Sequence, residues 1–268
     1  MSRREARAVG PDHSGPPAAD ERRHPAGDES WWFDFAAADG SLGGYLRLAY
    51  RPVDRVAWCW AAVVGEDRPL VSLRAHDVRI PARGMEVRAD GVWASLACET
   101  PMEHWSVGLE SFGAAMDDPL EAWGEERGDV VPFGLDLEWE ATEPAVGGAG
   151  RYGQWCTVHG EVLIGDERLT VACTGHRDHR WGPSPPGGPA GRWRVAMAPW
   201  WVRDGDAGAA LETEWGADGL PIRAVLGEGV ELVARRWSPV AVPGCAVVHA
   251  LSEGPSWGWV SWCRSTPG

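Results

Sequence analysis

Short apolar or alternating runs bounded by Gly, Pro and Asp recur along this chain, and each predicts a strand. The first, Ser30-Trp31-Trp32-Phe33-Asp34-Phe35, follows Glu29 and precedes the turn signal Asp39-Gly40. Gly44 to Tyr50 alternates, while Arg55 to Val64 is a near-continuous apolar run suited to a central strand covered on both faces. Shorter strands are predicted at Leu70 to Leu73, Met85 to Arg88, Val92 to Cys98 and His104 to Phe112. In the last of these, Trp105, Val107 and Leu109 share one face and His104, Ser106 and Glu110 the other. Leu135, Leu137 and Trp139 alternate with Asp136, Glu138 and Glu140, the pattern of a strand with one wet face.

One helix signal stands out. Asp118-Pro119-Leu120-Glu121 places a cap, a first-turn proline and an acidic residue just before Gly124, enough for a turn or two. Farther on, Gln154 to Ile164 and Glu167 to Thr174 flank Gly165-Asp166, a two-residue hairpin turn. A Pro/Gly-rich loop from Pro183 to Gly191 precedes strand-like segments at Arg192 to Val202, Ala209 to Trp215, Ile222 to Leu226, Glu231 to Arg235, Ala246 to Ser252 and Gly258 to Cys263. Many short strands with one short helix predict an all-β sandwich or barrel. The Gly/Pro/Ala connector Glu143 to Gly150 predicts a boundary, giving β domains over 29–142 and 150–268 behind a disordered tail at 1–28.

Composition narrows the function. A formal net charge of −14 and 44% hydrophobic residues give an acidic surface without the Lys/Arg patches that nucleic acid or an anionic membrane requires. Lysine is absent, which excludes Schiff-base and P-loop lysine chemistry. Six cysteines stand singly, with no Cys-x-x-Cys pair, and read as reduced core residues. The leader lacks an apolar stretch, so neither a signal peptide nor a membrane segment is expected, and the location expected is the cytoplasm. Against 4 Phe and 3 Tyr stand 18 Trp, whose indoles serve as core filler or as the lining of a cavity for a flat, greasy ligand.

Ionisable residues concentrate in His176-Arg177-Asp178-His179-Arg180-Trp181. Continuing the alternation from Leu169, Val171 and Cys173 turns Arg177, His179 and Trp181 inward and His176 and Asp178 outward, unless a bulge at Gly175 reverses the parity. The bland reading is a surface cluster or a salt-bridge corner tying a barrel shut. Glu99-Thr100-Pro101-Met102-Glu103-His104-Trp105 is a second cluster, and Arg74-Ala75-His76-Asp77 a weaker third. His176 and His179 lie on opposite strand faces, so no metal site is expected from them. Neither a G-x-G-x-x-G or P-loop run nor a G-x-S-x-G is present, and no cofactor is expected.

Three stretches carry a family resemblance: Glu29 to Phe35 with Gly43-Gly44-Tyr45, Glu99 to Trp105, and Arg177-Asp178-His179-Arg180-Trp181-Gly182. On these the chain resembles the actinobacterial relatives of the tandem-lipocalin superfamily that includes carotenoid hydratases (hydroxyneurosporene synthases), AttH-like proteins and certain fungal Diels–Alderases. The resemblance implies two lipocalin-like β halves with a hydrophobic ligand between or within them. It further implies an acid that protonates a double bond before water captures the cation. Asp178 matches that acid, with its carboxyl pKa raised by burial and His179 as its partner. Glu103 and His104 are the candidate second polar group, and Trp105, Trp181, Arg177, His176 and Trp60 the candidate ligand-binding residues. The function so implied is cofactor-free hydration, isomerisation or cyclisation of an isoprenoid or terpenoid-like molecule; the alternatives are a non-catalytic carrier of a hydrophobic metabolite and an interaction module.

Overall fold

Strands dominate because the chain offers β-branched and aromatic residues with a period of two and almost no helical run. The computed structural model describes residues 18–24, 27–124, 127–148, 150–182, 194–197, 212–225, 229–242 and 244–265. Among the described residues, seventeen strands follow in order: β1 (Asp28–Ala36), β2 (Leu42–Arg51), β3 (Val56–Gly65), β4 (Leu70–Arg79), β5 (Glu86–Ala89), β6 (Val92–Thr100), β7 (His104–Met116), β8 (Asp129–Ala141), β9 (Val146–Gly148), β10 (Arg151–Ile164), β11 (Glu167–Gly182), β12 (Arg194–Met197), β13 (Glu212–Trp215), β14 (Pro221–Val225), β15 (Glu231–Val242), β16 (Cys245–Glu253) and β17 (Gly258–Ser265). The expected helix is a single 3-10 turn, Pro119–Trp123, whose first free amide, Leu120 N, donates to Asp118 Oδ1 at 2.9 Å. Among the described residues no helix is long and apolar enough to cross a membrane.

The larger sheet runs β4-β3-β2-β1-β11-β10-β8-β7, and β4 pairs back onto β7 through Leu70–Ser72 and Ala114–Met116, closing a ring of eight antiparallel strands. The β5–β6 hairpin extends from the first half of β7. The smaller sheet, β12-β17-β16-β15-β14-β13, packs against the outer face of the ring beside β1, β3 and β4. The ring interior holds one buried cluster that includes Trp31, Phe33, Phe35, Trp105, Phe133 and Trp139. A second cluster, with Trp32, Tyr45, Trp60, Val247, Leu251 and Trp259, fills the layer between ring and smaller sheet. Thus β1 and β3 bury both faces, which explains the unbroken apolar run from Arg55 to Val64.

Two expectations about boundaries need correction. β10 pairs with β8 and β11 with β1, so residues 151–182 belong to the larger sheet and the connector 143–150 is an excursion within it, not a division between sheets. Turn-rich composition marks a loop, but it carries no information on which strands the loop joins. The tail expected over 1–28 holds a 3-10 turn, Ala18–Glu21, whose Glu21 is only 3% exposed. A charged partner inside the ring gives that short polar segment a reason to order. Residues 1–17 and the Pro183 to Gly191 loop lie outside the described residues.

Gly175 shows how tightly the ring closes. A Cβ there would meet Asp34 O at 2.2 Å, Val158 Cγ2 at 2.5 Å and Trp139 Nε1 at 3.0 Å. It would wedge apart the bond from Trp139 Nε1 to Asp34 O (2.9 Å) that ties β8 to β1 across the interior. Gly175→Ala should therefore destabilise the protein by about 1–3 kcal/mol, read as a lower urea midpoint at unchanged slope. An unaltered midpoint would contradict this packing.

Candidate functional site

Pairing of β11 with β1 and β10 is continuous from Gly182 to Thr174, with no bulge at Gly175. Parity therefore carries through from Val171: Arg177, His179 and Trp181 point into the ring, while His176 and Asp178 point to the layer between the sheets. The expected cluster is thereby split between two compartments with different chemistry.

Inside the ring, Arg177 anchors a polar network. Its Nη2 and Nη1 donate to Glu21 Oε1 and Oε2 at 2.7 and 3.1 Å, and its Nε donates to Gln154 Oε1 at 2.9 Å. Gln154 in turn donates to the carbonyls of Met102 and Glu143 at 2.9 and 2.8 Å. Tyr152 OH also donates to Glu21. Burial pushes the Glu21 carboxyl up, but the hydrogen bond and charge of Arg177, helped by Tyr152 and Met102 N, outweigh it and hold the pKa below its ordinary value. At the same end of the ring, Glu29 Oε1 lies 2.9 Å from both His179 Nε2 and His24 Nδ1, and His179 Nδ1 lies 3.3 Å from Tyr152 OH. Among the described residues, His24, Glu29 and His179 are the group close enough to hold a metal ion.

The layer between the sheets carries two carboxyls in opposite states. Burial pushes Asp178 up, but the charges of Arg180 and Arg151 outweigh it; their Nε atoms lie 2.5 and 2.8 Å from its oxygens, and its pKa falls to about 2. Asp178 is therefore ionised, and the expectation that it keeps a proton is corrected: its burial comes with two guanidinium partners. Asp34, on the same side of β1, lacks such partners. Burial pushes its pKa up to about 7, only partly offset by hydrogen bonds from Trp32 Nε1 (2.7 Å) and His176 N (3.1 Å), and the charge of Asp178 raises it further. Burial likewise lowers His176 to about 3 and His249 well below the usual histidine value, so both are neutral.

Around Asp34, Trp32 stacks on Tyr45 with centroids 4.5 Å apart, and His249 tilts against both rings. Tyr45 OH lies 2.8 Å from Ser238 Oγ, and His249 Nδ1 lies 2.6 Å from Ser261 Oγ. His249 Nε2 and Trp60 Nε1 are buried without a hydrogen-bond partner among the described residues. The Arg47 guanidinium lies over the Trp60 ring, 4.9 Å from its centroid.

The other expected residues distribute as follows. Trp60 does line this layer. Trp105 is packed in the ring core, and Trp181 closes the ring end by stacking on His24 at 4.2 Å. Glu103 is exposed in the turn before β7, and His104 pairs at 2.5 Å with Glu138 on the wet face of β8. Neither joins Asp178 or His179, because His104 faces outward from β7, opposite to Trp105, whose ring lies 5.7 Å from the Arg177 guanidinium, and Glu103 sits in the exposed turn. Sequence reasoning missed Glu21, His24, Asp34, Arg47, Tyr152 and His249. A signal existed for three of them: Asp34, Arg47 and His249 each interrupt a strand that is otherwise apolar.

A family model for a domain of unknown function, DUF7064, matches residues 17–223. The chain belongs to this family. The matched span starts just before the Glu21 segment and contains every strand of the DUF7064 ring. No curated protein sequence matches the chain. Among solved structures, this DUF7064 chain is similar to kievitone hydratase from Nectria haematococca, at 14% identity and a TM-score of 0.53, with 94% of each chain covered. It aligns with an AttH protein from Nitrosomonas europaea at 12% identity and TM-score 0.48, over 95% of this chain and 97% of that one. With CghA the values are 12% and 0.45, over 90% and 88%. The chain thus shares its overall fold with kievitone hydratase.

The Glu21 pair gives a pH-dependent test. Glu21→Gln leaves the Arg177 guanidinium buried without its countercharge and should cost about 3–5 kcal/mol at neutral pH. Because the folded pKa of Glu21 lies below the ordinary 4.5, its contribution is complete above that value and disappears as pH falls through the folded pKa. Urea unfolding across pH should show wild type and variant converging in acid; a constant gap would refute the assignment.

Proposed function

We propose that the chain is an enzyme that takes a hydrophobic small molecule between ring and smaller sheet and acts on it by proton transfer from Asp34. The observation that carries this reading is the pair of carboxyls whose surroundings push them apart, one near 7 and one near 2. Such separation is how a protein keeps an acid protonated beside a fixed negative charge. The proton on Asp34 is available to an alkene carbon: a C–H bond forms from the π electrons, the neighbouring carbon becomes cationic, and water adds there. The proton lost by that water restores Asp34.

The surrounding residues fit these demands. Trp32, Tyr45 and Trp259 bring aromatic rings that stabilise a cation, and the ionised Asp178 adds a countercharge. Neutral His249, with Nε2 unpartnered, suits the role of holding the water. Arg47 would meet an oxygen-bearing end of the ligand. Flat or polyunsaturated isoprenoid or terpenoid-like molecules match this lining, and hydration is the reaction favoured, a choice supported by the name of the similar kievitone hydratase. Cys59, Cys98, Cys156 and Cys173 are free thiols, which supports a reducing, cytoplasmic setting. A carrier is the second reading, favoured by the ion pairs that tie Asp178 to Arg151 and Arg180.

Native mass spectrometry of the purified protein should identify the co-purifying lipid, and that lipid class is then the substrate to assay. Asp34→Asn should lower turnover by about 10²–10⁴-fold while circular dichroism remains that of wild type. Because the acid form is the active one, the wild-type rate should fall as pH rises through about 7. Unchanged turnover in Asp34→Asn would exclude the mechanism, and a bound lipid that is never converted would make the protein a carrier.

A further inference from the structure

We propose that His24, Glu29 and His179 form a binding site for one divalent transition-metal ion of the zinc class, at the end of the ring opposite in face to the Asp34 layer. Glu29 and His179 come from paired strands β1 and β11, where Trp31 faces His179 and Glu29 faces Trp181. All four side chains therefore point inward. His24 reaches them because the chain folds back before β1: His24 N donates to Glu29 Oε2 and Oε1 at 2.9 and 3.0 Å. The return uses Gly27 at φ 86°, a conformation that side chains resist, pressed against the backbone of Gly182.

The three ligand atoms are close enough together to surround one ion. Both imidazole nitrogens lie 2.9 Å from one oxygen, Glu29 Oε1, and all three atoms fall within 4.8 Å of one another. Tetrahedral ligands on bonds of about 2.0–2.1 Å stand about 3.3 Å apart. Two histidines and one carboxylate are also a donor set that zinc accepts, leaving a fourth position for water. The His24 side chain is 23% exposed, against 1% for Glu29 and 2% for His179, so that position has an entry path on the His24 side.

Hydrogen-bond direction orients His179 for a ligand at Nε2. Tyr152 has one hydroxyl hydrogen, and it goes to Glu21. The Tyr152 oxygen can therefore only accept from His179 Nδ1, which places a ring hydrogen on Nδ1 and points Nε2 at Glu29 Oε1. What bridges Nε2 and Oε1 is then a second ring proton or a metal ion, and the Zn²⁺ titration below distinguishes the two. The chain from His179 through Tyr152 to Glu21 is also the outer support that metal-bound histidines characteristically have. The rings are held in place: His179 stacks on Trp31 at 4.9 Å, and His24 stacks on Trp181 at 4.2 Å. Bound there, the ion would also fasten the Glu21 segment to the ring.

Untagged protein stripped with a chelator and titrated with Zn²⁺ should take up one equivalent per chain by native mass spectrometry. Co²⁺ in its place should give the visible absorption of a four-coordinate site. His24→Gln changes only the least buried ligand and should weaken Zn²⁺ about 100-fold; Tyr152→Phe should weaken it about 10-fold. His159→Gln, an exposed histidine on β10, should have no effect. Zn²⁺ should raise the melting temperature of wild type and not that of His24→Gln, whose metal-free melting temperature reports its folding. Uptake far below one equivalent by wild type, or equal affinity in His24→Gln, would overturn the site. Either failure leaves the Asp34 reading untouched, since the two sites share no residue.

Discussion

Unbroken antiparallel pairing of β1 with β11, both strands buried on both faces, fixes the register on which everything else rests. Side chains alternate with a period of two, so a slip of one residue would exchange Arg177 and His179 with His176 and Asp178. Arg177 would then lose Glu21, and Asp178 would enter an apolar core without its two arginines. Each is a buried charge that is tolerable only with its partner. The polar residues thus do not merely occupy the register; they make every alternative register costly.

The same constraint explains why chemically similar groups end in different states. Asp34 and Asp178 project into one layer from adjacent strands, yet one retains its proton near neutrality and the other is ionised. Burial acts on both in the same direction. The difference is the pair of guanidinium groups on Arg151 and Arg180, supplied by β10 and by β11 itself, which pair with Asp178. Asp178, by its charge, then pushes Asp34 further toward the neutral form, so the arginines act on Asp34 through Asp178.

Much of this was legible in the sequence. Alternation and turn residues predict an all-β fold and the short helical turn at Pro119, but leave open whether Arg177, His179 and Trp181 point inward, since a bulge at Gly175 would reverse them. What escaped depends on partners distant in the chain. Glu21 and His24 lie in a leader whose Pro, Ala and Arg content argues for disorder, and only Arg177 and Glu29, far along or across the sheet, give it a reason to fold. Asp178 reads as a proton donor by the resemblance; Arg180 stands two residues along the same strand, but Arg151 is 27 residues away and its approach follows from the β10–β11 pairing. The connector before Gly150 has the composition of a domain boundary, but the strand pairing runs past it.

The tryptophan-rich composition acquires a more specific meaning from the ring size. An eight-stranded barrel has an interior just wide enough for side chains to fill, and here Trp31, Trp105 and Trp139 lie fully buried among Phe33, Phe35 and Phe133. Indoles pointing inward are therefore core. Those pointing outward, Trp32 and Trp60, meet the smaller sheet across a layer that also holds buried polar atoms without partners. Buried polar groups are normally satisfied, and among the described residues the unpartnered ones fall on both faces: Trp31 Nε1 inside the ring, Trp60 Nε1 and His249 Nε2 outside it. The inner face of β1 thus packs Trp31, Phe33 and Phe35 into the ring core, and its outer face packs Trp32 against the smaller sheet.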